Sequence, residues 1–251
     1  MSSKLSVVIV CHNSEDYILR NVNSIIDTAP EIVLIDDGST DNTLFVLKNL
    51  ADSYNHIRVL VNKYREGEAV SRNRAIISLN SEFIAIQRDC DTSRADRFQL
   101  QMEEMEKGFD LVGCHVVKTN PSGQTIGYVT YPPKEPQDLY ACIVQNMTEP
   151  VLDQTILFNR QTVLKMGGFN SAYMLPTFDL VGRMLSKGIG VSNIQECLVS
   201  SMAKYMCKSE LKDREENARI ITAQFIRRNH QDPRLEASHF LQDCFTEYPY
   251  N

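Results

Sequence analysis

Hydrophobic positions in this chain fall into short β-branched runs, separated by longer segments in which apolar residues recur three and four apart. Leu5–Val10, Glu31–Ile35, Ile57–Val61 and Phe83–Ile86 have strand character. Between them, Tyr17, Ile18, Val22, Ile25 and Ile26 share a helical face in a segment that starts at Ser14. Leu44, Leu47, Leu50 and Ala51 share another behind a Thr40 or Asp41 cap, and a third helix runs from Glu68 to Leu79. Strands apolar on both faces that alternate with amphipathic helices predict an α/β fold: a parallel sheet covered by helices on both sides, with right-handed crossovers.

Beyond residue 93 the rhythm changes. Arg94–Lys107 predicts a helix packing Phe98, Met102 and Met105, and Asp110–Thr119 with Gln124–Tyr131 predicts a hairpin around Asn120-Pro121-Ser122-Gly123. A short helix is expected over Pro136–Val144, with proline in its first turn. Gln154–Phe158 reads as a strand, Arg160–Lys165 as a brief helix and Met166–Asn170 as a tight turn. Thr177–Lys187 is helical with Gly188 as its stop, Ile189–Met202 is extended, and Glu210–Arg228 is a long amphipathic helix. The stretch from His230 to Asn251 carries little pattern.

In such a sheet ligands bind beyond the carboxyl ends of the strands, and the polar clusters of this chain fall there. Cys11-His12-Asn13 follows the first strand. Asp36-Asp37-Gly38-Ser39-Thr40-Asp41 follows the second and offers three acids and two hydroxyls where a helix cap needs one acceptor. Gly67 precedes the third helix, whose early turns carry Arg72-Asn73 in a position that suits a phosphate or, as a surface arginine, only solvent. The fourth strand ends in Asp89-Cys90-Asp91. Residues i and i+2 of an extended chain share a face, and two carboxylates there suit Mn²⁺ or Mg²⁺ shared with phosphates. The competing reading is a solvated turn.

Composition narrows the classes. At 251 residues the chain can bury a sizeable core, and 43% apolar with 23% charged residues is ordinary for a soluble globular protein. A net charge of −6 argues against nucleic acid as the main partner. Seven scattered cysteines without a C-x-x-C pair favour reduced thiols in a cytoplasmic setting over disulfides or zinc. No apolar run approaches the roughly 20 residues of a membrane span, and polar residues from His12 onward end the first apolar patch too early for a secretory signal. A peripheral membrane contact stays open.

Taken in order, Ser6–Val10 with Asn13, Val33–Asp41, Gly67 with Arg72-Asn73, and Asp89-Cys90-Asp91 resemble the family-two glycosyltransferases of the GT-A fold over about the first 115 residues. The resemblance implies a mostly parallel, Rossmann-like sheet in a domain at 1–205. A nucleotide-sugar half at 1–115, an acceptor-side half at 116–205 and a C-terminal helical extension at 206–251 would make up the chain. It also implies that Val10 and Asn13 line the base pocket and that Asp37 bonds the base. His12, Gly67 and Cys90 are counted among the donor-binding residues. Arg72 and Asn73 would sit near the nucleotide, Asp89 would face ribose or metal, and Asp91 would bind the Mn²⁺ or Mg²⁺ that bridges the diphosphate. A third acid common after this triplet is Thr92 here.

The second half resembles the family more loosely, through Gly167-Gly168-Phe169 and Phe178-Asp179-Leu180 with Arg183. Inverting members carry a Glu-Asp pair whose Asp deprotonates the acceptor; this chain has Pro176-Thr177. Asp179 is the nominated base, although it lies about 200° further round a helix, and Asp153 and Glu149 compete with it. The implied activity is metal-dependent, inverting transfer from a nucleotide-diphosphate sugar, UDP-linked by default, to a hydroxyl of a saccharide or lipid-linked saccharide. The alternative is a non-catalytic, nucleotide-sugar-binding partner subunit. A nucleotidyltransferase is a third class, but the Gly- and Lys/Arg-rich loop such proteins place after the first strand is not Cys11-His12-Asn13-Ser14.

Overall fold

In the computed structural model, which describes residues 4–145, 148–202 and 208–229, the four early strands pair in parallel. They are β1 (Leu5–Cys11), β2 (Ile32–Asp37), β3 (Ile57–Asn62) and β4 (Phe83–Arg88), linked by α1 (Ile18–Asn23), α2 (Thr43–Ser53) and α3 (Glu68–Ser78). Next come β5 (Thr92–Ser93), α4 (Arg97–Met105), β6 (Leu111–Thr119), β7 (Thr125–Val129) and α5 (Pro136–Val144). The chain then forms β8 (Leu157–Asn159), α6 (Arg160–Lys165), α7 (Pro176–Ser186), β9 (Val191–Met202) and α8 (Lys208–Arg228). One sheet holds all nine strands in the order β3-β2-β1-β4-β8-β6-β9-β5, with β7 hairpinned onto β6. The α/β architecture expected from the sequence is therefore present, with antiparallel β8 joining the early parallel strands to the later ones.

Alternation along each strand builds a core on either side of the sheet. Val8, Val33, Ile35, Ile84 and Ile86 pack with Ile76 of α3, Val181 of α7 and Phe225 of α8. Their neighbours Val7, Ile9, Ile32, Leu34 and Ala85 pack with Val22 of α1, Leu47 of α2 and Phe98 of α4. Strand β3 departs from the two-sided pattern because it is the sheet edge: Arg58 and Val61 face solvent.

The strand expected over Gln154–Phe158 shrinks to β8, and Asp153–Thr155 is a single 3₁₀ turn. The carbonyl of Thr155 accepts from Gln101 Nε2 at 2.7 Å, and its hydroxyl accepts from Cys114 N at 3.2 Å. Those groups are thus taken before a ladder can form. Among the described residues, Cys11, Cys90, Cys114, Cys142 and Cys197 form no disulfide. Cys207, Cys244 and the stretch from residue 230 lie outside them. No described helix is long and apolar enough to cross a membrane.

Gly38, in the loop after β2, has φ +68°, and a Cβ there would stand 2.6 Å from the backbone N of Arg65 and 2.6 Å from the backbone C of Tyr64. A left-handed residue costs about 1–2 kcal/mol for an L side chain, and the overlap adds to it. Gly38→Ala is therefore expected to lower stability by at least that amount and to push the 63–65 segment outward, read as an earlier thermal transition.

Candidate active site

The chain leaving β4 does not stay extended. Asp91 N donates to Arg88 O at 3.1 Å, closing a turn in which the two carboxylates of the triplet take different partners. Asp89 stays at the carboxyl end of the parallel strands, where its carboxylate accepts from the Ser14 hydroxyl. Asp91 is drawn under β9, where Oδ1 accepts from Met202 N at 3.1 Å. Asn21 of α1 fixes the turn by donating to the carbonyls of Arg88 and Asp91.

Asp91 is wholly buried, and among the described residues its Oδ2 has no hydrogen-bond partner. The nearest described cation is Arg88, with Nε 3.9 Å from that oxygen. Burial pushes the Asp91 carboxyl above the ordinary aspartate range, although Arg88 pulls the other way. Burial also opposes the charge on Arg88, yet Asp91, Cys90, Asp153 and Glu68 together outweigh it and hold the guanidinium protonated.

A cavity of about 400 Å³ opens at the ends of β1, β2 and β4. Val10, His12, Asp37, Gly67 and Asp89, all expected near the donor, line it. Arg88, absent from that expectation, lines it too. Asp37 is committed to the opposite loop: it accepts from Asn62 Nδ2 at 2.8 Å and from the backbone N–H groups of Glu66 and Gly67 at 2.9 Å each. Burial opposes its charge, but these bonds prevail and hold its carboxyl below the usual range. Such a carboxylate shapes the wall by fixing residues 62–71. His12 Nδ1 lies 3.0 Å from the Asp37 carbonyl, so the ring rests against the loop and leaves the cavity open.

Besides Asp91, four residues expected at the donor are absent from the cavity lining. Asn13, at φ +51°, ties the β1 and β2 loops together through Thr40 N at 2.8 Å. Cys90 is buried in the turn. Asn73 brackets Phe169, donating to its carbonyl at 2.7 Å and accepting from its N–H at 2.8 Å. Arg72 is buried instead of solvated, and it meets the cavity wall through Asp153, gripped by both Nη atoms at 2.6 and 2.8 Å, and through Glu68 at 2.8 Å. Asp153 lines the cavity and also accepts from the Thr177 hydroxyl at 2.5 Å. Burial of Asp153 is outweighed by Arg72, which holds its carboxyl far below the ordinary range.

The sequence profile described as "Glycosyl transferase family 2" matches residues 6–164, more than half of the chain. The chain belongs to glycosyl transferase family 2. Among curated relatives of this family 2 chain, the glycosyltransferase GlyG of Streptococcus pneumoniae is 30% identical over 199 residues, covering 77% of this chain and 61% of GlyG. The Escherichia coli protein WfgD, named a UDP-Glc:α-D-GlcNAc-diphosphoundecaprenol β-1,3-glucosyltransferase, is 30% identical over 106 residues, 41% of either chain. The family 2 chain thus spans less than two thirds of either relative. A solved structure of S. aureus TarS with UDP-GlcNAc superposes at a TM-score of 0.67 with 16% identity, over 96% of this chain and 77% of TarS. The mannosyltransferase PcManGT of Pyrobaculum calidifontis, solved with GDP-Man and Mn²⁺, gives 0.63 with 13% identity, over 94% and 79%. These likenesses show the GT-A fold.

In the later half of this family 2 chain, Asp179 is absent from the cavity lining. It is buried on α7, where Arg183 Nε donates to it at 2.8 Å and Arg228 stands 3.9 Å away. The nominated base is thus placed as an anchor between α7, α8 and the Gly168 turn, whose carbonyl also accepts from Arg183 at 2.7 Å. Thr177, at the position where the resemblance puts an acid, faces Asp153 with a donor hydroxyl. A carboxylate there would meet the Asp153 carboxylate at hydrogen-bond distance, so the threonine and Asp153 suit each other. Glu149 lines the first cavity and also a second, of about 530 Å³, bounded by Lys118, Tyr131, Met202 and α8.

Proposed function

We propose that the chain holds a nucleotide-diphosphate sugar in the 400 Å³ cavity and transfers the sugar, with inversion, to a hydroxyl of a saccharide or lipid-linked saccharide entering from the second cavity. The observation that carries this reading is the orphaned Oδ2 of Asp91, buried beside the turn that sets Asp89 in the cavity wall. A buried carboxylate oxygen with no hydrogen-bond donor and with Arg88 3.9 Å away is costly to the fold, and a metal ion would offset that cost.

No cluster of three or more His, Cys, Asp or Glu able to hold a metal occurs among the described residues. Mn²⁺ and Mg²⁺ take one or two protein carboxylates and complete their shell with phosphate and water. Asp91, with Asp89 from the cavity side, would hold the ion. When bound it offsets the charge that builds on the departing diphosphate. The protein's own share is Arg88, a cation in the walls of both cavities, and the loop that Asp37 holds shut against Gly67. A UDP-linked donor is the default reading, supported by the UDP-GlcNAc bound to TarS and by the donor in the name of WfgD, while PcManGT binds a GDP-linked sugar.

Calorimetry of UDP binding with and without Mn²⁺ is expected to show affinity that rises with the metal. Incubation with UDP-glucose, UDP-N-acetylglucosamine and GDP-mannose is expected to release the nucleoside diphosphate from one of them. A protein that binds none of these nucleotides contradicts the donor site. One that binds UDP tightly but releases none across the panel is a binding subunit.

A further inference from the structure

We propose that Glu149 takes the acceptor's hydroxyl proton from its place on the wall between the two cavities, and that Arg214 of α8 positions it there. The proposal rests on the sugar-transfer reading above. In an inverting displacement, the acceptor oxygen forms its bond to the anomeric carbon while the bond from that carbon to the phosphate oxygen breaks, and the electron pair leaves with the nucleoside diphosphate. The proton of the attacking hydroxyl must pass to a group facing both the donor's sugar and the incoming acceptor. The two cavities share Arg88, Glu149, Gln154, Leu175 and Arg214 in their linings. Of these, Glu149 is the only carboxylate.

Geometry rejects the rivals. Asp179 lines neither cavity, and its carboxylate is held by Arg183. Asp153 lines only the first, and both its oxygens are held by Arg72 while Oδ1 also accepts from Thr177. A carboxylate so stabilised is a weak base. Glu149 is freer. Among the described residues, the one hydrogen bond to its carboxylate comes from Arg214 Nη2 at 2.7 Å, through Oε1. Its side chain is 14% exposed, which leaves room for a hydroxyl to approach.

The electrostatic setting agrees with the geometry. Burial raises the Glu149 carboxyl above its ordinary value of 4.5; Asp153 adds to the rise, while Arg214, Arg88 and Lys118 oppose it. Glu215 on α8 and Tyr131 after β7 face the same cavity. A general base works best when its pKa approaches the operating pH; Glu149 is moved in that direction and Asp153 away from it.

The test uses the full chain with Mn²⁺, whichever donor of the panel it hydrolyses, and water as the acceptor probe. Glu149→Gln is expected to slow diphosphate release by about 10²–10⁴-fold, the usual share of a general base, with UDP affinity by calorimetry unchanged. The wild-type rate should fall as pH drops through the Glu149 pKa, with the limb above 4.5. Arg214→Gln removes the cation that favours the carboxylate and should move that limb to higher pH. A merely structural glutamate would leave the limb where it was. Release from Glu149→Gln at the wild-type rate overturns the base assignment alone, and loss of UDP binding in that variant makes the residue structural and also overturns it. Tight UDP binding by a wild-type protein that never releases diphosphate removes the transfer reading, and this proposal with it.

Discussion

Asp91→Asn is expected to erase the Mn²⁺-dependent part of UDP affinity while leaving the fold as stable as before, or more so. Losing even a supporting partner of a metal ligand typically costs 10–100-fold in metal affinity. Removing the ligand itself should therefore cost at least about 100-fold, read by calorimetry as equal UDP affinity with and without Mn²⁺. The stability half follows from what Asp91 lacks. Its Oδ2 is buried without a hydrogen bond among the described residues, its ion pair with Arg88 is stretched to 3.9 Å, and burial already pushes its carboxyl toward the neutral form. Asparagine keeps an oxygen for Met202 N and sheds the buried charge. A lower melting temperature for the variant without metal would mean that the carboxylate is a structural group, and an intact Mn²⁺ effect would remove the cation assignment.

Asp153→Ala should act in the opposite sense, as a stability defect first. Breaking a buried ion pair by removing one partner costs about 3–5 kcal/mol. Here the survivor, Arg72, is only 2% exposed and retains only the outward-facing Glu68 as a charge partner. For a chain of this size each kcal/mol moves the melting temperature about 2–4 °C, so a fall of about 6–20 °C is expected. The pH dependence has a definite sign. The Asp153 carboxyl is held below its ordinary 3.8 in the folded protein, so its contribution is present above that value and is lost as pH falls below it. Melting curves of wild type and variant should therefore converge in acid. Replacing both partners, Arg72→Met with Asp153→Leu, should recover much of the loss. A defect in the double variant as large as in the single one would show that Thr177, and not Arg72, is the partner that matters.

The parallel half of the sheet was legible in the sequence because its cues are local: β-branched runs, helical spacing and Gly38 in a loop. Strand ends alone placed His12, Asp37 and Asp89 together, while Val10 and Gly67 joined them through the family resemblance; all five line one cavity. What was not legible depends on contacts between distant segments. The fate of Arg72 was set by Asp153, 81 residues away, and the burial of Asp91 by the backbone of Met202, 111 residues away. No spacing rule within α3 or the acidic triplet signals either contact. The 3₁₀ turn at Asp153–Thr155 was hidden for a related reason. Its short apolar context fits a strand equally well, and the residues that claim the Thr155 carbonyl and hydroxyl lie on α4 and β6. Thr177 in place of an acid was readable as a departure, yet its reason was visible only once Asp153 stood beside it.

Helix α3 has a consequence for how such proteins could be recombined. Arg72 and Asn73, adjacent on that helix, fasten it to Asp153 and to Phe169, both on the far side of residue 115. The seam for a working chimera between members of the family would therefore fall upstream of Glu68, so that α3 travels with the downstream segment. A graft cut near residue 115 would sever both fastenings at once.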